Sequence, residues 1–103
     1  MTDKEMLELA AKAAGIDYHI DTLDGCEKLV SSGFVWNPLF DDGQALRLAV
    51  KMKIDIKHYD DYVVGWFDGG YIGTGKIMYE GHPCAATRRA IVRAAAEIGK
   101  ATT

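Results

Sequence analysis

Cysteine and proline are both scarce, with two of each in 103 residues. Cys26 and Cys84 stand far apart and outside any C-x-x-C spacing, so neither a thiolate metal cage nor a redox pair is written into the chain. No charged-then-apolar leader opens the sequence, and the expectation is a cytosolic chain with reduced thiols. Long apolar runs are missing as well. None approaches the roughly 20 residues that a membrane-spanning helix needs, so no membrane partner is expected. Positive charge is not in excess: twelve Lys and Arg against fifteen Asp and Glu leave a net charge of −3. That balance opposes nucleic acid as a partner unless a local basic patch forms. Linkers, repeats and low-complexity tracts are absent too, and a chain of this length supports one hydrophobic core. A single domain over 1–103 is expected.

What is present is helical periodicity at both ends. At about 100° per residue, the stretch CAATRRAIVRAAAEIG (Cys84 to Gly99) places Cys84, Ile91, Ala95 and Ile98 on one side, flanked by Thr87 and Ala94. Arg89, Arg93 and Glu97 fall on the other. Pro83 suits a first helical position, and Gly99 suits the left-handed residue that closes a helix. From Thr2 to Ala14 a capping box (Thr2 and Glu5) precedes Leu7, Ala10, Ala11 and Ala14 on one face, and Gly15 ends the run. A third helix starts behind Asp41, with Gln44 three residues on, and runs to about Met52. Its apolar arc takes in Ala45, Leu46, Leu48, Ala49, Val50 and Met52, leaving Gln44, Arg47 and Lys51 for water. This predicts deeper burial than for the first helix.

Between the helices lie strand signals of unequal strength. Ile16 to Ile20 alternates as a half-buried strand, Asp21 to Ser32 reads as a loop or irregular edge, and Phe34-Val35 resumes a strand. Trp36-Asn37-Pro38-Leu39 is a turn, because Pro38 cannot donate to a ladder. Lys53 to Tyr59 alternates with one wet face. Tyr62 to Phe67 and Tyr71 to Tyr79, separated by Asp68-Gly69-Gly70, form the clearest hairpin. Gly65, Gly73 and Gly75 within it suggest bulges or close backbone approach. The fold class that follows is α+β: an antiparallel sheet of three to four strands packed with three helices in a sandwich, in the order helix, strand, helix, three strands, helix.

Candidate sites are few. Gly70 to Lys76 satisfies the glycine and lysine spacing of a phosphate-binding loop, but position 77 is Ile and a strand follows it, so magnesium lacks its hydroxyl and phosphate its helix N-terminus. No cofactor is expected. Asp17, His19 and Asp21 on one strand face, and His82 near Cys84, lack a recognised metal-ligand spacing, so no metal is assigned. The paired aspartates Asp41-Asp42 and Asp60-Asp61 read as caps, and no catalytic residue is assigned. The anion candidates are Arg88, near the start of the last helix, with Lys76, Gly73 and Gly75 on the glycine-rich arm; structural pairing of Arg88 with Asp41, Asp42 or Asp61 is the equal alternative. Arg89, Arg93, Trp66 and Tyr71 make up a candidate interaction surface, against the plainer reading of solvated helix charges and hairpin aromatics.

WNPLFDDGQALRLAVK and PCAATRRAIVRAAAEIG, with MTDKEMLELAAKAAGI at the start, resemble small accessory proteins of tailed phages and prophages that carry the phage ABA-sandwich domain. The resemblance covers most of the chain, with Asp17 to Phe34 and the hairpin least matched. It implies an antiparallel sheet between helical layers and a phage or prophage protein acting in the cytoplasm of a bacterial host. It transfers no catalytic motif. The functional expectation is a non-enzymatic binding or interaction module with a host or phage protein as partner, and a small homo-oligomer is compatible with it. A nucleotide or small-anion sequestering protein is the alternative. Nucleic-acid binding through the terminal helix is weaker, because the basic helix start typical of a double-stranded-RNA domain is missing.

Overall fold

The computed structural model describes residues 1–101. Helix α1, Asp3–Ala14, starts on Thr2, whose side chain accepts from the amide of Glu5, and ends in the left-handed Gly15. The Thr2 hydroxyl also donates to the Glu5 carboxylate, at 3.1 Å. Three strands follow, β1 (His19–Leu23), β2 (Cys26–Ser31) and β3 (Phe34–Val35), paired antiparallel in sequence order. Helix α2, Asp42–Met52, is capped by Asp41. Then come β4 (Asp55–His58), β5 (Tyr62–Phe67), β6 (Ile72–Gly73) and β7 (Ile77–Met78), and the chain closes with α3, Pro83–Ala101. In the second sheet β5 is central, pairing with β4 on one edge and with β6 and then β7 on the other. The fold is α+β, with three helices and two antiparallel sheets.

Two expectations in the first half are corrected. The strand begins at His19 rather than Ile16, and Asp21 to Ser32 is a regular hairpin instead of a loop. Asp24 and Gly25 have φ of 53° and 76°, and Ser32 and Gly33 have 53° and 82°. Both connections are two-residue turns of the hand that matches strand twist. The alternation was illegible because β1 is exposed along nearly all its length, so no apolar period marks it. In the second hairpin β5 and β6 pair Phe67 with Ile72, whereas β5 and β7 pair Val63 with Ile77. The second arm therefore carries one extra residue, and the bulge falls at Thr74 to Lys76.

Helix α3 organises the molecule. Ala86 and Ala90 face β5, Ile91 and Ala95 lie among the core side chains, and Val92, Ala96 and Gly99 turn toward another flank. It is covered on several sides, with Arg89, Arg93 and Lys100 along the remaining wet stripe. A helix, and not a sheet, is thus the middle layer: α3 touches β5 on one side and α1 and α2 on the other. The Ala-rich surface makes this layering feasible, since small side chains let backbones approach closely. At Gly65 an added Cβ would come within 2.8 Å of the Ala90 carbonyl oxygen. At Gly99 an added Cβ would overlap the Leu9 carbonyl oxygen of α1. Gly99 therefore lies inside α3, where it admits α1, and does not close the helix as its sequence position suggested. Cys84, placed on the buried face by periodicity, is exposed because it precedes the stretch that other elements cover.

The second helix is also shallower than its pattern predicts. Ala45, Leu48 and Ala49 are buried, while Leu46 and Val50 are 64% and 71% exposed. The core beneath α1 and α2 comprises Met6, Leu7, Leu29, Trp36, Leu48, Ile54, Phe67 and Ile91 among others. Burying each large apolar side chain of this kind contributes about 1.5–3 kcal/mol. Among the described residues no helix is long and apolar enough to cross a membrane.

Candidate functional site

The candidate site surrounds the N-terminus of α2, where the turn after Trp36 meets the first turns of α3. Pro38 keeps Asn37 out of the helical region, and the Asn37 Oδ1 accepts from the Leu39 amide at 3.2 Å. The Asp41 amide donates to the Asn37 carbonyl at 3.0 Å. The Asp41 carboxylate in turn accepts from the Gln44 amide at 2.7 Å. Gln44, expected to face water, instead bridges backward. Its Oε1 accepts from the Asn37 amide at 2.6 Å and its Nε2 donates to the Val35 carbonyl at 3.0 Å. One side chain thereby joins β3, the turn and α2.

Arg88 of α3 completes the clasp. Its Nε donates to the Leu39 carbonyl at 2.9 Å, and its Nη1 donates to Asp42 Oδ1 at 2.6 Å. The arginine side chain is 19% exposed and the carboxylate 78%. Asp42 also carries negative charge in the first turn of α2, where the helix dipole favours it. Arg88 is therefore neutralised locally and committed to holding α3 against the turn.

A hollow flanks the clasp on each side. On one side α2 and α3 enclose an open groove of about 400 Å³, lined by Ala45, Leu46, Pro83, Thr87, Arg88 and Ile91 among others. His58 and Cys84 also border it, and the His58 Nδ1 lies 2.7 Å from the Tyr79 hydroxyl. On the other side a hollow of about 330 Å³ is lined by Lys28, Val35, Asn37, Phe40, Asp41 and Gln44. Phe40 stands 83% exposed beside it, and Phe34 and Val35 are exposed on the neighbouring strand. The Phe40 amide donates to the Asn37 carbonyl at 3.0 Å, so the ring projects from an ordered turn.

The other residues singled out by sequence lie elsewhere. Lys76 sits 4.9 Å from the Tyr62 ring centroid, and Tyr62 stacks on Tyr59 at 4.5 Å. Gly73 lies against the Trp66 ring, Gly75 belongs to the bulge, and Tyr71 is exposed at the hairpin end. Thr74 between the two glycines accepts from the Gly65 amide and donates to the Gly75 carbonyl. Arg89 pairs with Asp3 at 3.0 Å and Arg93 with Glu97 at 3.0 Å. Arg88 and Lys76 thus occupy different features, the α2–α3 groove and the β5–β7 aromatic stack. Sequence reasoning passed over Phe40, Leu46 and Val50 as surface residues. For Leu46 and Val50 the four-residue spacing was a usable signal, but only neighbouring elements reveal which flank of an apolar helix stays bare.

Among the described residues no three His, Cys, Asp or Glu side chains group so as to hold a metal ion. Compared with known proteins, the chain matches no family model, no curated protein and no solved structure.

Proposed function

We propose that this is a phage or prophage accessory protein that acts in the host cytoplasm by binding another protein, without catalysing a reaction. The carrying observation is the exposed apolar ground beside the α2 clasp, with Phe40 presented from an ordered turn next to the Val35 hollow. Exposed apolar side chains grouped on a small domain mark interaction surfaces, and an aromatic anchor beside a hollow has the form of a binding hot spot. The cations that the sequence singled out are engaged within the chain: Arg88 with Asp42, Arg89 with Asp3, Arg93 with Glu97 and Lys76 with Tyr62. Immobilised protein exposed to host extract should retain a partner that Phe40→Ser no longer retains, with both proteins melting at the same temperature. Retention unchanged by Phe40→Ser, or reproducible turnover of a substrate, refutes this reading.

A second reading rests on Arg88. Its Nε and Nη1 are bonded to Leu39 and Asp42, and the guanidinium borders the 400 Å³ groove, where its remaining N–H groups suit the phosphate of a nucleotide or another small anion. Thermal-shift measurement against nucleotides, cyclic dinucleotides and inorganic phosphate tests it. Saturation at 100 times the dissociation constant adds about 2.7 kcal/mol. That shift should vanish in Arg88→Ala, and its persistence there removes Arg88 from the account.

A further inference from the structure

The two edges of the first sheet are treated differently. In an antiparallel ladder the hydrogen-bonding groups of successive residues point to opposite sides. At the β3 edge the outward Val35 carbonyl is taken by Gln44 Nε2 at 3.0 Å. At the β1 edge nothing plays that part. Leu29 of β2 bonds toward β3, since its carbonyl accepts from the Trp36 amide at 2.8 Å. Its neighbour on the other side is Ile20, so the Ile20 N–H and C=O point away from β2, and those of Thr22 do the same two residues on. Among the described residues neither makes a backbone bond to another element. Strand β1 also carries no proline and no bulge, two of the usual devices for closing an edge. Its side chains His19 and Asp21 are exposed and have no hydrogen bond or ion pair among the described residues, and Ile20 is half-buried at the rim of the core.

We infer that β1 is an isologous interface, and that its occupant is β1 of a second copy, antiparallel about a two-fold axis at Ile20. The side chains select both the occupant and the register, because His19-Ile20-Asp21 is its own antiparallel complement. With Ile20 on the axis, the two Ile20 residues exchange their free N–H and C=O groups, and Thr22 lies opposite Tyr18 of the second copy. His19 of each chain then stands directly opposite Asp21 of the other, where an imidazole N–H meets a carboxylate, and neither side chain gives up a partner to do so. Lys28, the cross-strand neighbour of Asp21 within the chain, continues that row. On the other face the two Ile20 side chains cover each other beside the core. A register centred on Asp21 would also satisfy the backbone, but it opposes two carboxylates, which is destabilising. A strand of unrelated sequence would satisfy the backbone and leave His19 and Asp21 unmatched. Two-fold contacts of this kind are the commonest way soluble chains assemble. Strand β1 has five residues, so the contact lies at the small end of specific interfaces, below about 1,200 Å² in total, and the dimer is weak. The Phe40 surface lies at the other edge of the sheet and stays free, so this inference does not rest on the proposed function.

The test is sedimentation of the full chain from about 5 µM to about 500 µM, a range in which a weak dimer changes population by mass action. The average mass should rise from one chain toward two. Thr22→Pro removes an N–H that the β1–β2 ladder does not use, so this variant should keep its far-ultraviolet circular dichroism and stay single. His19→Asp and Asp21→His should each weaken association several-fold, and the two changes made together should restore it, because the pair is then exchanged and not lost. The register is read by cross-linking in a chain that also carries Cys26→Ser and Cys84→Ser. Ile20→Cys should join two chains under mild oxidation, since residues opposed on the axis have Cα atoms about 5.5 Å apart, within reach of a disulfide. Thr22→Cys, displaced from the axis, should not. A chain that remains single to the highest concentration overturns the inference. So does a dimer that survives Thr22→Pro, a double exchange no tighter than the single ones, or cross-linking through Thr22→Cys as fast as through Ile20→Cys.

Discussion

Replacing Gly99 with alanine separates local preference from tertiary constraint. In an isolated helix the change gains about 1 kcal/mol, because alanine is the better helix former. Here Gly99 lies within α3, and a Cβ built on it overlaps the Leu9 carbonyl oxygen and approaches the Ala13 side chain at 3.5 Å. The obstacle is backbone in the middle of α1, which cannot rotate away as a side chain would, so one helix must move. Overpacking of this kind costs about 1–3 kcal/mol. Taking the upper end against the propensity gain leaves a net loss of about 2 kcal/mol. For a domain of this size that lowers the melting temperature by about 8–16 °C, measurable by circular dichroism at the helix band. Asparagine makes the test sharper. Were Gly99 a left-handed helix terminator, asparagine would be tolerated better than alanine. Inside the α1–α3 contact its larger side chain should cost more. Gly15, which is left-handed at φ +69° with nothing within 4 Å of an added Cβ, serves as the comparison, and Gly15→Asn should be milder than Gly15→Ala. Gly99→Ala that melts at or above the wild-type temperature, or Gly99→Asn more stable than Gly99→Ala, refutes the close-approach argument.

Three further outcomes follow from the same geometry. Gly65→Ala should destabilise by about 1–3 kcal/mol, because the Ala90 carbonyl stands 2.8 Å from the new Cβ; urea unfolding at an unchanged slope checks it. Arg88→Ala should cost more than Asp42→Ala. The arginine also satisfies the Leu39 carbonyl and its loss falls in the range of about 1–3 kcal/mol, whereas the ion pair with an exposed carboxylate is worth at most about 1 kcal/mol; a double-mutant cycle in urea separates the two contributions. Burial, with the hydrogen bond and charge of Glu8 adding to it, raises the Tyr18 phenol above its ordinary 10.0. The folded chain then keeps a proton that the unfolded chain has lost, so this contribution is intact below about pH 10 and disappears as pH rises through the folded value. Tyr18→Phe should flatten the alkaline decline in stability, and an unchanged slope above about pH 10 would show that Tyr18 does not drive it.

Local signals were enough for the three helices, their N-terminal caps at Thr2 and Asp41, the Pro83 start of α3 and the hairpin around Asp68 to Gly70. These features depend on neighbours within four residues: a period, a capping oxygen, a residue without an N–H, a glycine at positive φ. The first hairpin was written just as locally, in Asp24-Gly25, yet it escaped notice because its strands lie open to water and show no apolar alternation. Other features were settled only when distant segments met. Gly99 has the composition of a helix end, and it is the carbonyl of Leu9, far earlier in the chain, that makes it an interhelical contact. Leu46 and Val50 have the same apolar character as Leu48, but α3 and the turn cover only one flank of α2. From its position in the sequence Arg88 suited either an anion or a pairing with Asp41, Asp42 or Asp61, and it was the fold that chose Asp42 and added the Leu39 carbonyl. Local periodicity fixes which residues share a face, whereas burial and pairing depend on what other part of the chain arrives there.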